Sequence, residues 1–100
     1  MAKLSPFNRL HPPRFVNVLG HKITVRVVSY LEDSEEELLG AFNPESKEIY
    51  LLKGCDWKSV LLHEMTHGIL YYSGASQGIS ASKEEQICLA IETGLSHFFT

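Results

Sequence analysis

His63-Glu64-Met65-Thr66-His67 brings together the residue types and spacing of a catalytic metal site. In a helix, residues four apart stand one turn above another on the same face, so both imidazoles can reach one ion. Glu64 leans to the same side but is offset from the pair. There it can take a proton from a metal-bound water instead of binding the metal.

Catalytic zinc needs a third protein ligand and one position left open for water. An H-E-x-x-H-x-x-G-x-x-H extension would place Gly at 70 and His at 73, where Leu70 and Ser73 stand, and no Asp follows His67. The downstream donors are Glu84, Glu85, Cys88, Glu92 and His97. On a helix carrying them, Ile87, Ile91, Gly94, Leu95 and Phe98 would form the apolar face, with Cys88 at its edge. Glu84 falls near the centre of that face, Glu85 and Glu92 near its margin. A carboxylate inside a buried stripe is costly unless it is paired or binds a metal. Phasing therefore ranks Glu84 first as third ligand, Glu85 as the alternative and Glu92 last. His97 lies away from the Glu84 face and reads as structural. His11 and His21 have no spacing relation to the site.

These side chains need elements to hold them. Asp56 is a good N-cap for a helix from Trp57 to about Tyr72, stopped by Ser73-Gly74. Its own core face would be Leu61, Met65, Ile69 and Tyr72, opposite the histidines. Residues 75–81 are small and polar, a loop, after which Ser82 can cap a final helix from Lys83 to about Phe99. Upstream, Phe15 to Leu19 and the alternating Ile23 to Val28 read as strands joined by a turn at Gly20-His21. Leu39 to Phe42 and Glu48 to Leu52 flank the turn Asn43-Pro44-Glu45-Ser46-Lys47, a second hairpin. Ile49 and Leu51 would face one side, Tyr50 and Leu52 the other. The acidic run from Glu32 to Glu37 reads as a solvated loop or the start of a short helix. Strands first and helices after predict an α+β fold, a small antiparallel sheet packed on the two helices.

Composition sets the outer limits. One hundred residues make one domain, here expected over 15–100, preceded by an irregular basic arm over 1–14 holding Pro6, Pro12 and Pro13. Lys3, Arg9, Arg14, Lys22 and Arg26 all precede the first acidic residue, and they read as solvated surface charge. The net charge is −3, which argues against nucleic acid as a partner. No apolar run has the length of a membrane span, and the N-terminus lacks the apolar stretch of a signal peptide, so a cytoplasmic protein is expected. Cys55 and Cys88 lack the C-x-x-C spacing of a zinc knuckle or redox pair and read as free thiols, Cys88 as a core residue.

Val16-Asn17-Val18-Leu19-Gly20, Leu39-Gly40-Ala41-Phe42, Ile49-Tyr50-Leu51, the run from Leu61 to Leu70, and Glu84-Glu85 with Ala90 and Thr93-Gly94-Leu95 form a pattern. It resembles the small H-E-x-x-H proteins of phages and prophages, and through them the peptidase domain of the ImmA/IrrE family, a compact gluzincin-type zinc peptidase. The resemblance covers roughly residues 15 to 99. It implies a minimal zincin fold, Zn2+ at His63 and His67, a glutamate ligand at Glu84 or Glu85, and Glu64 as general base. Placing an Ala after the ligand, at Ala90, fits Glu85, whereas phasing fits Glu84. Tyr71 and Tyr72 are candidates by position for stabilising the oxyanion.

The expected activity is hydrolysis of a peptide bond in a protein or peptide substrate. The metal lowers the pKa of its water to around 7, and Glu64 removes the proton as the water attacks. The strand Glu48 to Leu52, taken as an edge, would hold the substrate extended. If the chain is phage-encoded, the substrate would be a host protein in the host cytoplasm. The alternative is a catalytically silent binding module whose zinc serves stability, because metal affinity in so small a chain becomes folding free energy.

Overall fold

The computed structural model describes residues 7, 9–33 and 36–95. It is an α+β domain: a four-stranded mixed sheet with two helices. Strands β1 (Phe15–Val18) and β2 (His21–Val28) form the first hairpin, in register from Phe15↔Thr24 to Val18↔His21. Leu19 and Gly20 make the turn, both at positive φ (49° and 87°), and Gly20 N–H donates to Asn17 Oδ1 at 2.8 Å. Two consecutive positive φ angles fit a type I′ turn, one of the two common two-residue hairpin connections. The turn thus sits one residue earlier than Gly20-His21.

The acidic run is neither loop nor helix start along its described backbone: β3 (Glu32–Asp33) pairs antiparallel with β4 (Glu36–Glu37). Then β5 (Gly40–Asn43) and β6 (Glu48–Leu52) form the second hairpin. Asn43 Oδ1 accepts from the backbone N–H of Glu45 and Ser46, which tightens its turn.

The sheet is not all antiparallel. Its order is β1-β2-β6-β5, and the two hairpins join through β2 and β6, which run parallel. The long link from Val28 to Gly40 carries the chain past the β6 position, so β5 lands at the far edge and β6 returns inside. Burial explains this order. Ile49 and Leu51 of β6 are fully buried, whereas every residue of β5 keeps some exposure. The most apolar strand takes the centre. Glu48–Leu52 is therefore an inner strand, and the expectation that it is the open edge is overturned; the edge beside the helices is β5.

Helix α1 (Trp57–Tyr72) has the expected bounds. It packs on the sheet over a core of Val16, Val18, Ile23, Val25, Ile49, Leu51, Val60 and Leu61. Its core face differs in part from the apolar periodicity: Leu61 is fully buried and Met65 and Tyr72 partly so, but Ile69 is exposed, and His63, Glu64 and Gly68 are buried. A short 3-10 turn (Ala75–Gly78) leads to α2 (Ala81–Leu95). Its cap is Ser80, not Ser82: the Ser80 hydroxyl accepts from Lys83 N–H at 3.1 Å.

The basic arm is irregular over its described part but held down. Phe7 stacks on Trp57 at 6.4 Å, Pro13 is buried, and the Arg14 carbonyl accepts from Val25 N–H. No helix among the described residues is long and apolar enough to cross a membrane.

Candidate metal centre

His63 and His67 lie one turn apart on α1, with ring centroids 5.1 Å apart. They face α2, not bulk solvent. The face α2 turns to them is not its apolar stripe. Ile91 and Leu95 are exposed, Cys88 is the fully buried residue, and Glu84 and Glu92 are half-buried. The helix turns its Glu84–Cys88–Glu92 side to α1, displaced from the stripe of Ile87, Ile91 and Leu95 that apolar periodicity suggests. The reason lies on α1: buried imidazoles require polar partners, and carboxylates supply them better than isoleucines. Phe98 and His97 lie outside the described residues.

Each imidazole is held at both nitrogens. His63 Nδ1 meets Glu92 Oε1 at 2.8 Å, and His67 Nδ1 meets Glu84 Oε2 at 2.6 Å. The two Nε2 atoms converge on one carboxylate: Glu85 Oε1 is 2.8 Å from His63 Nε2, and Glu85 Oε2 is 3.1 Å from His67 Nε2. Glu84, ranked first from phasing, therefore stands behind a ring, while Glu85 stands between the two rings.

This geometry has a chemical consequence. A carboxylate only accepts, and a neutral imidazole carries one N–H. With each Nδ1–H given to a carboxylate, each Nε2 presents a lone pair toward Glu85. The arrangement is satisfied by a proton on each Nε2 or by one divalent cation among the three groups. Outward-held Nδ1–H groups are also what orients histidines that bind metal.

The rings, these glutamates and Glu64 line one cleft of about 620 Å³ between α1, α2 and β5. Among the described residues its lining holds four carboxylates and no lysine or arginine, so its field favours a cation. Glu64 is buried beside His63 under β5. Burial pushes its carboxyl up to about 7, opposed by His63 and reinforced by Glu85 and Glu92. A nearby divalent cation would favour its ionised form. Gly40 lets β5 come this close: a Cβ there would stand 2.4 Å from Val60 Cγ1 and 3.3 Å from Glu64 Cγ.

Tyr71 lines the cleft, half-exposed, with its ring edge-on to Phe42. Tyr72 is directed elsewhere: its hydroxyl donates to the Pro44 carbonyl at 3.3 Å and its ring stacks on His21 at 3.9 Å. His11 is exposed and outside the cleft lining.

Sequence reasoning undervalued two residues. Glu92 holds His63, and Cys88 lies with the histidines: its Sγ and one nitrogen of each ring are all within 4.8 Å of one another. The signal was the spacing of Glu84, Cys88 and Glu92, four residues apart on one face, which apolar periodicity passed over. Both cysteines are free. No protein-family model, curated protein or solved structure matches the chain.

Proposed function

We propose that this chain is a zinc-dependent metallopeptidase of the minimal gluzincin kind its motifs resemble, acting on a protein or peptide substrate. The observation that carries the reading is the convergence of His63 Nε2 and His67 Nε2 on Glu85, with both Nδ1 atoms held by other carboxylates. His63, His67 and Glu85 are the donors in this reading, and Glu84 and Glu92 fix the rings. Glu85 thus takes the place that helix phasing assigned to Glu84.

Zinc, when bound, supplies a Lewis acid that polarises a peptide carbonyl and makes water acidic near neutral pH. The chain's own groups do the rest. Glu64 takes the proton of the attacking water and passes it to the departing amine nitrogen. A carboxyl near pH 7 in its affinity for protons suits a group that must do both. Tyr71 lines the cleft, and in this reading its hydroxyl is the donor to the developing oxyanion. The β5 edge lies along the cleft through Gly40, Ala41 and Phe42, where an extended peptide can add as a further strand.

The test combines metal content with one substitution. Natively purified protein should carry about one zinc per chain and cleave members of an unstructured peptide library, read by mass spectrometry. Glu64→Gln should keep fold and zinc and lose cleavage. Glu85→Gln should lose zinc more completely than Glu84→Gln. Zinc retained with no cleavage by the unaltered protein would leave the metal-stabilised binding module instead, and no zinc uptake on titration would overturn both readings.

A further inference from the structure

Cys88 is the one fully buried residue among the described residues of α2, and it is absent from the cleft lining. It lies behind the cleft wall. Its Sγ is nonetheless within 4.8 Å of a nitrogen of His63 and of His67. Glu85 reaches the same two rings, and its side chain is 49% exposed. The two α2 donors thus differ in burial: Cys88 is enclosed, and Glu85 faces the solvent.

We propose that Cys88 is a metal ligand, a thiolate that joins His63 and His67 from the buried side of the centre. The inference rests on the reading of the cleft as a metal centre and concerns which atoms hold the ion. It is more than a lone cysteine in a core: a nitrogen of each imidazole lies within 4.8 Å of its Sγ, and the adjoining cleft is lined by carboxylates that would draw a cation to it. On binding, the S–H proton leaves to solvent and a sulfur–metal bond forms in its place. Zinc takes both imidazole nitrogen and thiolate sulfur as donors. A soft sulfur donor also biases the centre toward zinc or cobalt over magnesium, calcium or manganese.

Cobalt(II) provides the test, because sulfur bound to it gives a near-ultraviolet charge-transfer band that nitrogen and oxygen donors do not. The titration uses the full chain carrying Cys55→Ser, so that Cys88 is its sole thiol. The expected result is intense visible bands of a four-coordinate ion together with the sulfur band. Cys88→Ala in the same background should lose the sulfur band and weaken cobalt binding at least tenfold. Zinc-loaded protein, studied by X-ray absorption, should show one sulfur at about 2.3 Å. Visible bands without a sulfur band, and a metal shell of nitrogen and oxygen alone, would overturn the proposal and leave the zinc reading standing. No cobalt or zinc binding at all would overturn both. The absorption data need no variant at Cys88, so a poorly folded Cys88→Ala does not shield the idea.

Discussion

Glu92 Oε1 lies 2.8 Å from His63 Nδ1, joining the last full turns of α2 to the middle of α1. The contact leaves the opposite nitrogen of that ring facing Glu85. Glu92→Gln keeps the size of the side chain and removes the charge that fixes the ring's orientation. Zinc affinity should fall about 10–100-fold, the usual cost of losing such a partner. Competition with a chromophoric chelator measures it. An unchanged affinity would make the contact incidental.

The second prediction concerns acid and base. In chelator-treated protein the Glu64 carboxyl is pushed up to about 7 by burial, against an ordinary value of 4.5. Between those values the folded state holds a proton that the unfolded state has released, so stability falls as pH rises through this window. The shift corresponds to roughly 3 kcal/mol. Urea titrations across the window should show Glu64→Gln gaining on the unaltered protein as pH rises, with the difference levelling off above the folded value. Parallel curves for the two proteins would refute the assignment.

Packing at the β5–α1 contact gives a third. A methyl group at Gly40 would collide with Val60 Cγ1 and press on Glu64, whereas at Gly68 the nearest atom, Val18 Cγ1, is at an ordinary 3.4 Å. Gly40→Ala should cost about 1–3 kcal/mol by overpacking. In a domain this size each kcal/mol lowers Tm by about 4–8 °C. Gly68→Ala should do much less. Equal losses in thermal melts would show that helix backbone effects, not the close approach of β5, dominate.

Chelation supplies a fourth. If the ion binds only the folded chain, free zinc at a thousand times Kd adds about 4 kcal/mol. A chelator should therefore lower Tm by many degrees, and zinc should restore it. A melting curve that ignores both would remove the metal from the energetics of this fold.

Much of this was legible in advance. Hairpins announce themselves through local turn chemistry, and both pairings, β1 with β2 and β5 with β6, follow from adjacent residues. The bounds of α1 match the positions of Asp56 and Ser73-Gly74, although the Asp56 side chain caps no backbone N–H and instead accepts from the Ser59 hydroxyl. The parallel union of β2 with β6 was not legible, because it depends on where a long link delivers the chain and no local signal records that. The orientation of α2 escaped for a different reason. Periodicity assumes that apolar residues claim the interface, but here the partner surface carries two imidazoles, and Glu84, Glu85 and Glu92 meet them while Ile91 is left partly exposed.

The parallel seam between β2 and β6 also bears on how the chain finds its shape. Each hairpin closes through neighbours in sequence, an event of microseconds. The seam, from Thr24↔Glu48 to Val28↔Leu52, joins residues far apart along the chain and bears the entropy of closing the loop between them. Ile49 and Leu51 reach full burial only when that seam is in place and α1 covers it. The cleft therefore depends on that distant pairing, because β5 reaches Glu64 as the partner of β6, and β6 is fixed by the seam.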